Sequence, residues 1–235
     1  MADIAFEHEQ YESSDYYTLS HKTIDSIDSE WGFRWRYILN RIVQKGNFSS
    51  LLDVGAGNGY FVALASKEFG LDASGIEIST EEIRFASDVI GIELIKEDLS
   101  KHLPIYDVVT CFNVLEHVSD PQSFLTAAID RMKPGGILVL TTPNPGCVHS
   151  KIKGIKDWDM VDPPHHINLF SKKALDEMLK SRNMELIQYE TLSTYIKFVR
   201  KFDTQSLIYR RLFFHALRMA NIGADHFIIS RKIPA

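Results

Sequence analysis

From residue 50 onward, short apolar runs alternate with segments whose apolar residues recur at helical spacing, the pattern of a parallel sheet covered on both faces by crossover helices. The runs predict strands near 50–54, 73–77, 92–96, 106–112, 136–142, 184–190 and 226–231. Helices are predicted over 59–69, 80–90, 121–131 and 172–182, as in the series Phe124, Ala127, Ala128 and Met132. Asp120-Pro121 and Ser171 mark helix starts, since a short polar side chain satisfies first-turn amides and proline suits the first helical position. Ahead of the first strand, Trp35, Ile38, Leu39 and Ile42 form one stripe within 31–45, so a helix is expected there, closed by Gly46-Asn47. Residues 143–169 hold Pro143, Pro145, Pro163 and Pro164 and no sustained period, which predicts a long loop over the carboxyl ends of the strands. The expected organisation is an N-terminal helical segment, 1–46, and an α/β domain, 47–235, with a substrate loop at 143–170 and a cap at 191–221.

The first strand runs directly into three glycines, Leu51-Leu52-Asp53-Val54-Gly55-Ala56-Gly57-Asn58-Gly59, and the next apolar run closes on Glu77. Glycine allows a sharp turn and a close approach of backbone to ligand. A dinucleotide-binding turn needs glycine at its sixth position, where this chain has Tyr60, so NAD and FAD are disfavoured. S-adenosylmethionine carries no phosphate, and its two ribose hydroxyls are donors that a carboxylate such as Glu77 accepts. Taken alone, the segment also fits an ordinary strand-to-helix loop. Asp53 is expected to support the turn rather than touch a ligand.

Composition narrows the setting. With 235 residues, 45% hydrophobic and 24% charged, the chain has enough material for one globular domain with a sizeable core. The N-terminus lacks a basic flank with an apolar run, and no apolar stretch approaches the length of a membrane span, so a cytoplasmic protein is expected. Cys111 and Cys147 are expected to be free thiols. A net charge of -5 argues against a nucleic-acid partner. Residues 1–30 carry a net charge of -7 and 191–235 a net charge of +6, so the basic, aromatic stretch 191–221 is also a candidate for contact with a membrane or a lipid-like substrate. Oligomeric state is not legible.

The order of features resembles the class I S-adenosylmethionine-dependent methyltransferases, and within them the group containing the ubiquinone-pathway O-methyltransferases. The resemblance covers roughly 31–190 and is carried by Gly32 to Ile38, Leu52 to Gly59, Glu77, Glu97-Asp98-Leu99, Tyr106 to Val118, Asp120-Pro121 and Met132-Lys133-Pro134-Gly135-Gly136. It implies a Rossmann-like sheet of seven strands with the last antiparallel, and S-adenosylmethionine as cofactor with S-adenosylhomocysteine as product. By the same resemblance Arg34 reaches the methionine carboxylate and Gly55, Ala56, Gly57 and Gly59 lie under the methionine and ribose. Glu77 takes the ribose hydroxyls, Asp98 and the Leu99 amide meet the adenine, and Phe112 and Asn113 border the sulfonium.

A sulfonium methyl is already activated, so the protein has mainly to exclude water and align a nucleophile. A hydroxyl acceptor is helped by a general base, and histidine titrates in the right range. His117, at the end of the fourth strand beside Glu116, is the first candidate, with a buried structural histidine as the alternative. His165 and His166, in the segment Asp162 to Ser171, resemble a histidine-containing loop of the same family, and His149 is a weaker candidate. Some relatives hold a divalent cation with acids next to such a Glu-His pair, but Asn113 stands where the outer acid would be, so no metal is expected. Beyond about residue 190 the resemblance ends and the quinone-type substrate does not carry over. The expected activity is methyl transfer to a small-molecule acceptor, through oxygen, with aromatic, prenylated or sugar-type acceptors in view. The alternatives are a noncatalytic adenosylmethionine-binding partner protein and a nicotinamide-dependent oxidoreductase.

Overall fold

The computed structural model describes residues 23–193 and 215–233. The chain enters through α1 (Ile24–Ile27), whose Thr23 and Ser26 cap each other reciprocally, then passes a π-helical turn at Asp28–Gly32 into α2 (Phe33–Val43). There follow β1 (Ser50–Val54), α3 (Tyr60–Phe69), β2 (Asp72–Glu77), α4 (Thr80–Phe85), β3 (Ile95–Lys96) and β4 (Tyr106–Phe112). The remainder comprises α5 (Pro121–Asp130), β5 (Met132–Pro143), α6 (Val148–Lys153), α7 (Lys172–Lys180), β6 (Met184–Leu192) and β7 (Asp225–Lys232).

The strands form one seven-stranded sheet in the order β3-β2-β1-β4-β5-β7-β6. Pairing is parallel from β3 to β5, whereas β7 runs antiparallel to both β5 and β6. The chain builds outward from β1 to the β3 edge and then returns to place β4 on the other side of β1. That reversal opens a crevice at the carboxyl ends of β1 and β4.

Adjacent strand residues divide between two cores, as the period of two requires. Leu51, Val108, Ile137, Val139, Phe227 and Ile229 face α2 and α3, where they meet Ile38, Leu39, Ile42, Phe61 and Leu64. Leu52, Val109, Leu138, Leu140 and Ile228 face α5 and α7, against Leu125, Ile129, Leu175 and Leu179. Of the expected N-terminal segment, Ile27 and α2 pack into the core shared with α3, and residues 1–22 lie outside the described residues.

Strand and helix positions follow the sequence expectation with three corrections. The strand expected at 92–96 shrinks to Ile95–Lys96, an edge strand with pairing on one side only and both residues exposed. The helix expected over 80–90 becomes α4 followed by a π turn at Ala86–Ile90, which ends on Gly91 in the left-handed region. The loop expected at 143–169 contains α6 and a 3-10 turn at Ile155–Asp157, because Cys147 caps a local turn by accepting from the Ser150 amide. Of the expected cap at 191–221, residues 194–214 lie outside the described residues, and 215–219 are helical. Cys111 and Cys147 are free and buried. Among the described residues no helix is long and apolar enough to cross a membrane.

Phe227 is fully buried at the centre of the α2/α3 face. Phe227→Ala is expected to lower the unfolding free energy by about 3–5 kcal/mol, measured by urea denaturation; a loss below about 1 kcal/mol would contradict this account of the core.

Candidate active site

The glycine turn leaves β1 with Gly55, Gly57 and Gly59 all at positive φ, 70°, 52° and 73°. A side chain at Gly55 would meet Val114 at 2.6 Å, so this glycine is required by packing as well as by conformation. At Gly57 nothing lies within 4 Å of where a Cβ would stand, so the backbone there borders open space that a ligand can approach. Gly59 then serves as the first residue outside α3, with Tyr60 at its start.

Glu77 ends β2 beside this turn. Its Oε2 accepts from the Gly57 amide at 2.8 Å, and its Oε1 accepts from the Ile78 and Ser79 amides at 2.7 and 2.9 Å. The carboxylate thus points at the glycine bend and ties the two strand ends together. A carboxylate has about four lone-pair sites, so donors from a bound ribose can share or exchange with these amides.

Asp53 lies beneath the turn, buried, with Oδ1 2.6 Å from Thr110 Oγ1. Burial pushes its carboxyl up to about 8, the Thr110 hydrogen bond opposes this, and the nearby Glu77 charge adds to it. The Thr110 hydroxyl, which donates to Asp53 Oδ1, also lies 3.3 Å from the Leu52 carbonyl.

Arg34 reaches the carboxyl edge of the sheet from α2, almost fully buried. Its Nη1 donates to Asp225 Oδ2 at 2.7 Å, and the guanidinium sits 6.0 and 5.8 Å from the rings of Trp31 and Trp35. Asp225 was not among the expected site residues; it follows by 191 positions, and only the antiparallel register of β7 brings it here. Asp98 holds its own turn, with Oδ1 accepting from the Ser100 amide at 2.8 Å, while the Leu99 side chain is buried in the α5/α7 core. Phe112 packs on Trp35 and Phe61, with ring centroids 5.1 and 4.8 Å away, which makes it part of the wall between α2, α3 and β4.

Asn113 sits immediately after β4 with φ 54°, a left-handed conformation that asparagine tolerates better than most residues. Its amide donates to the Thr141 carbonyl, and its Oδ1 accepts from Thr141 Oγ1 at 2.9 Å. Glu116 follows, fully buried, with Oε2 accepting from Thr142 Oγ1 at 3.0 Å. Burial raises its carboxyl to about 7, against the pull of hydrogen bonds from its own backbone amide, Thr142 and Asn113.

The structure brings His117 and His166 together and leaves His165 at their side. His117 Nδ1 donates to the His165 carbonyl at 2.8 Å, and His166 Nδ1 donates to the Met160 carbonyl at 2.8 Å. A carbonyl only accepts, so in the neutral form of each ring Nε2 carries the basic lone pair. The rings meet edge to face with centroids 4.7 Å apart. One carboxylate oxygen of Glu116 and one nitrogen of each ring lie within 4.8 Å of one another. Burial, followed by the neighbouring His166, lowers His117 to about 4, so it is neutral near pH 7. The His165 ring is turned toward Asp162, 3.4 Å away. The loop is pinned in this position because the Ile167 and Asn168 amides both donate to the Glu116 carbonyl at 3.0 Å. Sequence pattern marked each histidine but not the convergence, which requires the loop to fold back across the end of β4.

Residues 31–189 match the family described as Methyltransferase domain. The chain belongs to this family. It is 36% identical over 121 residues to a ubiquinone biosynthesis O-methyltransferase of Photorhabdus laumondii subsp. laumondii, a match covering 47% of this chain and about half, 49%, of that protein. A protein of the same description from Citrobacter koseri is 28% identical over 187 residues, 68% of this chain and 73% of that one. Among solved structures, a SAM dependent methyltransferase from Archaeoglobus fulgidus superposes with a TM-score of 0.56 at 23% identity, over 86% of this chain and 97% of that chain. Membership makes S-adenosylmethionine the cofactor of this methyltransferase domain. The cleft fits it: an acid faces the glycine bend, and the bend borders open space.

The Asp53 environment predicts a pH effect on stability. The folded state holds the Asp53 proton up to about pH 8, whereas the unfolded chain releases it near the ordinary aspartate value of 3.8. Folding is therefore favoured at the low end of this window, and the contribution is lost as pH rises, by at most about 1.4 kcal/mol per pH unit for one group. Asp53→Asn should be close to wild type near pH 4 and progressively more stable than wild type from there toward pH 8 in chemical denaturation. A difference that does not grow with pH would refute the neutral Asp53.

Proposed function

We propose that this methyltransferase domain transfers the methyl group of S-adenosylmethionine to a hydroxyl oxygen of a small aromatic or prenylated acceptor. The contact of Glu77 with the Gly57 amide at 2.8 Å carries the cofactor half, because it sets a carboxylate beside backbone that a ribose can approach. In this reading Glu77 receives the ribose hydroxyls, Arg34 the methionine carboxylate, and Asp98 with the Leu99 amide the adenine. Gly55, Ala56, Gly57 and Gly59 lie under the methionine and ribose, and Phe112 and Asn113 flank the sulfonium. The names of the relatives, ubiquinone biosynthesis O-methyltransferases, support an oxygen acceptor and name no sugar-type one.

The acceptor oxygen attacks the methyl carbon in line with the sulfur, a C–O bond forms, and the C–S electron pair returns to sulfur as a neutral thioether. The hydroxyl proton passes to the basic nitrogen of His117 or His166, both held with Nδ1 committed to carbonyl groups. Positioning supplies most of the barrier reduction and base catalysis a further factor of about 10²–10⁴. Tyr60 at the sixth position of the turn disfavours the nicotinamide-dependent alternative. The histidine pair at the cleft favours an enzyme over a noncatalytic binding protein.

A second reading concerns a divalent cation. Glu116 Oε1 is buried and accepts no hydrogen bond among the described residues, and one oxygen of this carboxylate stands in the cluster with His117 and His166. These three groups fit a cation despite Asn113 in the place of an outer acid, and a bound metal would supply Lewis-acid polarisation of the acceptor hydroxyl. A cytoplasmic location, with lipid-like acceptors met through 191–221, belongs to the same proposal; most of that stretch lies outside the described residues.

S-adenosylhomocysteine at about 100 times its Kd should stabilise the protein by about 2.7 kcal/mol, and Glu77→Ala should largely remove the effect. No thermal shift with folded wild-type protein would reject the cofactor assignment. Of His117→Ala and His166→Ala, the one that removes the proton acceptor should lower turnover by about 10²–10⁴ while cofactor affinity stays unchanged. Chelation followed by readdition of Mg²⁺ or Mn²⁺ tests the cation, and turnover indifferent to both leaves the histidines acting as proton acceptors alone.

A further inference from the structure

We infer that Asp225 is a positioning residue for the cofactor: it holds the Arg34 guanidinium in the orientation in which Arg34 meets the amino-acid end of S-adenosylmethionine. This rests on the cofactor reading above and adds to it a residue outside the 31–189 family match. Asp225 is the first residue of β7, aligned with Pro143 of β5 and Leu192 of β6. Because β7 is antiparallel, its first residue lies at the carboxyl edge of β5, the edge at which the glycine turn and Asn113 lie.

Three features make the contact more than a surface ion pair. The Arg34 and Asp225 side chains are only 4% and 15% exposed, and their Nη1–Oδ2 distance is 2.7 Å. Burying a guanidinium without a counter-charge is costly, so a nearby carboxylate is needed to keep Arg34 inside the domain before any ligand arrives. The guanidinium is a rigid planar fork, and a contact at Nη1, with Trp31 and Trp35 beside the plane, fixes the direction of the whole fork. A preset fork engages a carboxylate without first losing rotamer freedom. The pair also links α2 to β7, so the helix bearing Arg34 is registered against the sheet edge at the cleft.

The test compares two ligands that differ only at the amino-acid end: S-adenosylhomocysteine, and 5′-methylthioadenosine, which lacks the carboxylate and ammonium. Asp225→Asn should weaken S-adenosylhomocysteine binding by roughly 10-fold in calorimetry and leave methylthioadenosine binding unchanged. Asp225→Glu should restore part of the loss. If Asp225→Asn is poorly folded, Arg34→Met and the double variant Arg34→Met/Asp225→Asn, which leaves no buried unpaired charge, carry the comparison. The double variant should bind S-adenosylhomocysteine no more weakly than Arg34→Met alone. Equal weakening for both ligands, additive losses in the double variant, or tighter S-adenosylhomocysteine binding by Asp225→Asn would each overturn the assignment. Absence of S-adenosylhomocysteine binding by the wild-type protein would instead reject the cofactor reading itself.

Discussion

The site is organised by the carboxylate of Glu77 accepting backbone amides from two strand ends at once. Where β2 stops, the amides of Ile78 and Ser79 leave the sheet ladder, and where β1 stops, the glycine turn exposes the Gly57 amide. A single acid at this corner satisfies all three with charge-assisted hydrogen bonds. The turn is thereby held against β2 and the cleft has a defined floor before a ligand enters. Parallel pairing of β1 with β2 is what places the two ends side by side.

A second constraint is the handling of buried charge around that floor. Asp53 and Glu116 are both carboxyls raised by burial, each bonded to a threonine of a neighbouring strand, Thr110 and Thr142. Arg34 is also buried, but its charge is met by Asp225. The carboxyl edge of the sheet is therefore a largely buried, polar layer in which Asp53, Glu116 and Arg34 are each held by a partner. Such preorganisation suits a reaction whose main demands are alignment and exclusion of water.

The fold was largely legible because its signals are local or periodic. Alternating runs such as Leu51-Leu52 and Val108-Val109 divide between two helical layers, and the glycines mark the turn that follows β1. Legibility failed where neighbours outweigh local pattern. β3 has β2 on one side only and survives for two residues, and the proline-bearing stretch after β5 still forms α6. In the site, the sequence placed Glu77 beside the glycine bend, but the Asp98–Ser100 contact and the packing of Phe112 on Trp35 and Phe61 are set by neighbours that the local pattern does not name.

By itself the amino-acid order determined the alternation of strands and helices, the bend after β1, the acid that closes β2 and the identity of the histidines, since each depends on residues a few positions apart. Only the tertiary structure decided which of these meet. The Arg34–Asp225 pair spans 191 positions, and the Glu116, His117 and His166 cluster needs a loop folded back over the end of β4. Such contacts are made by strand order, antiparallel register and loop closure, and these follow from how the whole chain buries its two cores rather than from any short stretch of residues.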